Sequence, residues 1–126
     1  MKQIIIEFVF KDNYIVNKYM IFEEPCKKEF TIYSKSGCFY CNKAKMLLLN
    51  KSLPFKIIDC DEYIIENKVN FLSFIKNLTN KEVKTFPIIF YNDIFVGGFE
   101  DLTQFVDNLL LSMSFDDLMV LNNIFK

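Results

Sequence analysis

Tyr33-Ser34-Lys35-Ser36-Gly37-Cys38-Phe39-Tyr40-Cys41 is the stretch on which the reading of the fold turns. It opens in Phe30–Tyr33, a short apolar and β-branched run that reads as a buried strand. Ser34 to Gly37 is turn chemistry. Asn42 to Asn50 (NKAKMLLLN) then supplies strong helix formers and sets Ala44, Leu47 and Leu48 on one face. The two thiols therefore stand where a strand hands over to a helix. The unpaired N–H groups and partial positive charge of a helix start favour thiolate over thiol, and Lys35 adds an ammonium nearby. Cys38 is the expected nucleophile, and Cys41, one turn deeper, is within reach to resolve a mixed disulfide formed on it. A blander reading makes the pair two core cysteines, or half of a zinc site completed by Cys26 and Cys60. Those two are isolated in the sequence, whereas structural zinc ligands come in closely spaced knuckles.

Working outward, Phe55 to Ile58 is a second strand after Pro54, and Tyr63 to Leu78 a longer helix, apolar at Ile64, Ile65, Val69, Leu72 and Ile75. Pro87 to Tyr91 is a third strand, and Asn92-Asp93 fits a two-residue hairpin turn into Ile94–Val96. Gly97-Gly98 breaks that strand. Glu100 and Asp101 open a helix through Leu111, acids standing where the helix dipole favours them. The order β-α-β-α-β-β-α gives one right-handed parallel unit and an antiparallel hairpin, hence an α/β fold with a four-stranded mixed sheet flanked by helices. Residues 3–10 read as a strand, and Tyr14–Phe22 as its hairpin return or a short helix, with the hairpin favoured. Residues 114–125 read as one more helix, capped by Ser114. The expected organisation is an N-terminal extension over 1–28, a compact domain over 29–112 and a C-terminal helix over 113–126.

Composition closes off whole mechanisms. The 126 residues include no His, Arg or Trp. Without imidazole there is no Ser-His-Asp or Cys-His catalysis, no His-ligated zinc and no C-x-x-C-H haem attachment. Without guanidinium, a bound carboxylate must be held by Lys or by backbone amides. The formal net charge of −1 argues against nucleic acid or an anionic membrane as partner. Met1-Lys2 followed by Ile4-Ile5-Ile6 starts like a signal peptide. Glu7 interrupts it and no small-residue cleavage site follows, so a soluble chain in a reducing, cytoplasmic setting is expected.

Three blocks taken together are more specific than the thiol pair alone: Tyr33–Cys41, then Thr85-Phe86-Pro87, then Gly97-Gly98-Phe99-Glu100-Asp101-Leu102. In this order and spacing the chain resembles the glutaredoxin family of the thioredoxin fold, over about residues 29 to 112. The resemblance implies Cys38 as nucleophile and Cys41 as resolving cysteine. It implies Lys35 as the lysine that supports the thiolate and reaches a glutathione carboxylate, and Tyr40 as the aromatic beside the bound tripeptide. Thr85, Phe86 and Pro87 match the cis-proline segment, where the backbone of Phe86 would pair with the cysteinyl unit of glutathione. Glu100 and Asp101 match the acidic pair that meets the γ-glutamyl ammonium, with helix-start amides for its carboxylate. Gly97 and Gly98 would allow close backbone approach. Two positions depart from the pattern. Phe39 stands where the family usually has Pro, and no Gln on the second helix offers itself to the glycine carboxylate, for which Lys76, Lys81 or Lys84 are substitutes.

The resemblance thus implies a glutathione-dependent thiol–disulfide oxidoreductase with glutathione as reductant and co-substrate and no metal. It would act as a monomer on disulfide-containing or glutathionylated proteins, with no nucleic acid and no membrane involved. Two other classes stay open: a carrier of a glutathione-ligated [2Fe–2S] cluster, and a non-catalytic interaction protein of the same fold. Cys60 reads as a buried small hydrophobe or a regulatory thiol.

Overall fold

The computed structural model of the chain describes residues 3–11 and 14–112, with side chains from Ile21 onward. The helix expected over 114–125 and the turn residues Asp12 and Asn13 lie outside the described residues. Contacts divide the chain into two units, one formed by 1–24 with 62–83 and the other by 25–61 with 84–126.

The second unit carries the mixed sheet. Its strands are β3 (Phe30–Ser34), β4 (Phe55–Asp59), β5 (Ile88–Tyr91) and β6 (Ile94–Gly97), in the order β4-β3-β5-β6. β3 and β4 run parallel, Phe30 opposite Phe55 and Ser34 opposite Asp59, joined through helix α1 (Phe39–Asn50). β5 returns antiparallel to β3 and forms a hairpin with β6, where Asn92 takes a left-handed φ of 56° at the turn. β3 is buried at all five residues, which is why it reads as a continuous apolar run rather than an alternating one. β4, at the edge, leaves Lys56, Ile57 and Asp59 exposed.

One face of the sheet is covered by α1 and by α3 (Phe99–Ser112). The core between them joins Phe30, Ile32 and Ile89 of the sheet to Ala44 and Leu48 of α1 and Leu102 and Val106 of α3. Phe105 closes one end, its ring 5.9 Å from Phe30 and 5.5 Å from Tyr91 in centroid distance. Ala44, Leu47 and Leu48 face inward as their spacing predicts.

The first unit pairs β1 (Gln3–Lys11) and β2 (Tyr14–Phe22) antiparallel, Gln3 opposite Phe22 and Lys11 opposite Tyr14. Phe22 is fully buried, its ring 5.0 Å from Tyr63, 5.6 Å from Phe71 and 5.4 Å from Phe74. These last three belong to α2 (Asp61–Thr79), which leaves helical geometry at Asn67 (φ −156°, ψ 57°). That break resets the helical phase, so the apolar face expected at Ile65 and Val69 is wrong. Both are exposed, and the buried face beyond the break is Phe71, Phe74, Ile75 and Thr79. Asn80, with φ 59°, then ends the helix in the left-handed conformation.

Element boundaries also differ where capping chemistry is unusual. α1 starts at Phe39, three residues before the expected Asn42, because Cys38 itself occupies the N-cap. β5 starts after Pro87, which has no N–H to give a ladder.

Leu48 is fully buried at the centre of the second unit's core. Leu48→Ala is expected to cost about 2–5 kcal/mol of stability, and Leu111→Ala, at an exposed position of α3, less than about 0.5 kcal/mol. Urea denaturation of the two variants beside the parent checks the order; equal midpoints would refute this placement of the core.

Candidate active site

Residue 38 ends the turn that follows β3 and caps α1. Its backbone is extended (φ −95°, ψ 109°), and its Sγ accepts the N–H of Cys41 at 3.2 Å. An N-cap normally uses a Ser, Thr, Asp or Asn oxygen for this bond. Here sulfur fills the same position, so one of the unpaired donors of the helix start points at the Cys38 sulfur. Cys38 and Cys41 are joined as a disulfide, their Cα atoms 5.2 Å apart, and Cys41 is fully buried while Cys38 keeps 8% exposure. The attackable sulfur is thus the outer one of the pair.

The carbonyl oxygen of Phe86 lies 3.6 Å from Cys38 Sγ. The Phe86–Pro87 bond is cis. Phe86 also lines a cavity of about 410 Å³ with Tyr40, Thr85, Pro87, Gly98, Phe99, Glu100 and Asp101. Seven of the eleven residues singled out from the sequence thus line one cavity, and Cys38 adjoins it through Phe86. Lys35 is not in the lining. Its Nζ sits 5.6 Å from the centre of the Phe86 ring, and it borders a neighbouring polar depression with Ser36, Gly37, Asn42 and Lys45.

At the far end, the start of α3 is fixed by Asp101, whose Oδ2 accepts the Gly98 N–H at 3.1 Å. Gly97 has φ 124°, and a Cβ there would run into the Asp101 carboxylate. The glycine is required both by its backbone conformation and by this close approach. Asp101 therefore does two things at once, capping α3 and contributing to the cavity wall, while Glu100 beside it is exposed.

Three contributors carry little or no signal in the sequence. Phe99 lines the cavity between the glycines and the acids. Lys43 places its ammonium 5.4, 5.8 and 5.1 Å from the ring centres of Phe39, Tyr40 and Phe99; its spacing of four and three from Phe39 and Tyr40 on α1 is the available hint. Asp61 accepts the Ser36 N–H at 2.8 Å and the Ser36 hydroxyl, tying down the turn that leads to Cys38. Hydrogen bonds from the Ser36 side chain and backbone, helped by the Lys35 charge, hold the Asp61 carboxyl below its usual range. Ser36 and Asp61 are 25 residues apart, beyond any local pattern.

The remaining cysteines stay outside this arrangement. Cys26 and Cys60 are free thiols, and among the described residues no three Cys, Asp or Glu side chains converge as metal ligands. Cys60 is fully buried. Its burial pushes the thiol up to about 12, a backbone hydrogen bond with Ser34 opposing and the charges of Asp59 and Asp61 reinforcing the shift. Of the lysines suggested for the glycine carboxylate, Lys76 is already paired with Glu82 at 2.7 Å.

Three outcomes are expected. In the reduced, folded protein at pH 8, iodoacetamide labels Cys38 and leaves Cys60 unmodified until urea is added, as read by mass spectrometry. Because the folded-state value of Cys60 is raised, its contribution to stability is full below about 9 and is lost as pH climbs toward 12. Gly97→Ala destabilises by more than about 1 kcal/mol, since the native φ does not suit a side chain; thermal melting reads the loss, and an unchanged melt would contradict the described contact with Asp101.

Comparison with known proteins fits this geometry. The glutaredoxin family model matches residues 30–96. Glutaredoxin-2 of Schizosaccharomyces pombe is 35% identical over 74 residues, 59% of this chain and 64% of that protein. Mitochondrial glutaredoxin-2 of Rattus norvegicus is 34% identical over 70 residues, 56% of this chain and 42% of that protein. The matched region thus spans less than two thirds of either relative's length. Among solved structures, glutaredoxin 1 from Francisella tularensis, complexed with cacodylate, superposes with a TM-score of 0.57 at 27% identity, covering 66% of this chain and 96% of that one. With its thiol pair at the strand-to-helix junction, its cis-proline and its glycine–acid block held on one thioredoxin-like sheet, the chain belongs to the glutaredoxin family.

Proposed function

We propose that the protein is a glutathione-dependent thiol–disulfide oxidoreductase. The observation that carries this reading is the placement of Cys38 Sγ, 3.6 Å from the carbonyl of the residue that borders a cavity of tripeptide-ligand size. The cavity's polarity suits a zwitterionic peptide. Glu100 and Asp101, with the amide end of α3, stand at one end, and Lys35, beside Phe86, stands near the other. Glutathione offers an ammonium and a carboxylate on its γ-glutamyl unit and a second carboxylate on glycine, which is the complementary distribution. With no arginine in the chain, lysine ammonium and backbone N–H groups are the donors for those carboxylates.

The chemistry follows from the two sulfurs. The Cys38 thiolate, stabilised by the Cys41 N–H, attacks the glutathione sulfur of a mixed disulfide and expels the target's thiolate. A second glutathione thiolate then attacks the glutathione sulfur held on Cys38. Oxidised glutathione leaves with the two electrons' worth of oxidation, and Cys38 returns as thiolate. For a protein disulfide, Cys38 attacks one sulfur and expels the other as thiolate, and Cys41 then displaces the target from Cys38, closing the Cys38–Cys41 bond that the structure contains. Two glutathiones reopen that bond.

The decisive measurement is glutathione-coupled reduction of the small mixed disulfide of glutathione and mercaptoethanol. Cys38→Ser is expected to abolish turnover, while Cys41→Ser retains it, because only the outer sulfur is needed for the monothiol route. Glu100→Gln together with Asp101→Asn is expected to raise the KM for glutathione roughly three- to tenfold, the loss of one or two charge-assisted contacts. Survival of activity in Cys38→Ser, or equal rates when free cysteine replaces glutathione in the parent protein, would overturn the proposal.

A further inference from the structure

We infer that Lys43 selects the other half of the mixed disulfide, favouring target cysteines with acidic neighbours; this rests on the proposed glutathione chemistry. The cavity accounts for the tripeptide, so the target polypeptide must leave the reacting sulfur on the side that the cavity does not occupy. Phe39, next to Cys38, is 66% exposed and absent from the cavity lining. Tyr40, half-exposed, and Phe99 bridge from it to the cavity, the Tyr40 ring centre 5.2 Å from Phe39 and 6.0 Å from Phe99. The Lys43 ammonium hangs over all three rings at 5.1–5.8 Å. A cation held against several ring faces loses less conformational freedom on binding than a lysine free in solvent, and the apolar rings weaken the screening around it.

The surrounding charge points the same way. From Phe30 to Ile58 the chain has Lys35, Lys43, Lys45, Lys51 and Lys56 and not one Asp or Glu. Carboxylates adjoin this run at Asp59, Asp61, Glu100 and Asp101, so the positive charge is confined to the Lys43 side of the rim. A rim of this sign attracts an acidic segment and repels a basic one, acting mainly on encounter rate and in a salt-dependent way. The partner that fits is a glutathionylated polypeptide with Asp or Glu beside its modified cysteine. Exchange runs as above: the Cys38–glutathione bond forms, the target–glutathione bond breaks, and the target thiolate departs past Lys43.

The test uses two glutathionylated peptides of equal length, one with Asp and one with Lys on both sides of the cysteine, and the glutathione–mercaptoethanol disulfide as a third substrate. The readout is the ratio of kcat/KM for the Asp peptide to that for the Lys peptide, which cancels the general reactivity of each enzyme. Lys43→Gln is expected to lower that ratio roughly threefold, Lys43→Glu further, and Lys43→Arg to preserve it. In the parent protein the ratio should fall as sodium chloride rises from 20 to 500 mM. A ratio unmoved by Lys43→Glu, with all three substrates turned over, overturns the role of Lys43 alone. Failure of the parent protein to turn over the glutathione–mercaptoethanol disulfide overturns the glutathione reading and this inference with it.

Discussion

One N–H···S contact organises the site. The sulfur of Cys38 does at the start of α1 what an oxygen side chain does at most helix starts, taking up the N–H of Cys41. Cap and proposed nucleophile are therefore the same atom. The arrangement fixes the direction in which α1 leaves β3, buries Cys41 one turn in, and leaves Cys38 as the outer sulfur. The turn before it is secured from outside by Asp61, which holds both the amide and the hydroxyl of Ser36. Few residues separate the two anchors, so a disturbance of either is felt at the thiol.

The second organising feature is the separation of charge in a chain without arginine or histidine. Lysines occupy α1 and its flanks, and the carboxylates nearest the cavity sit at the start of α3. Neither set is deeply buried, so no large desolvation cost is incurred. Lysine is a compact, strongly hydrated charge that does not fork onto a carboxylate as arginine does. The rings of Phe86, Phe39, Tyr40 and Phe99 place two of these lysines in its stead. Aromatic abundance, which looks in the composition like mere bulk, is here what positions cations.

Much of the second unit was legible residue by residue. The apolar run Phe30–Tyr33, the helix formers after Cys41, and Asn92-Asp93 between two apolar pairs each follow local rules, and the sheet order then follows from a parallel crossover plus a hairpin. Less legible were the points at which one residue does an unusual job. Sulfur as a cap moved the start of α1 from Asn42 to Phe39, and a non-helical Asn67 turned the apolar face of α2 away from Ile65 and Val69. Periodicity arguments assume an unbroken 3.6-residue repeat, and nothing about an isolated Asn announces a break.

Residue types and their spacing set which chemistry was available and where along the chain it would be concentrated. Absent imidazole and guanidinium left thiols, lysines and carboxylates, and spacing put the thiols at a strand-to-helix junction. Tertiary structure alone decided that Thr85–Pro87 and Gly98–Asp101 share a cavity that adjoins Cys38, that Lys43 stands over its rim, and that Asp61 braces Ser36. The reason is physical. Chemical type and helical or strand period are local properties of the chain, whereas a distance between residues 25 or 48 positions apart exists only after the sheet has paired and the core has packed.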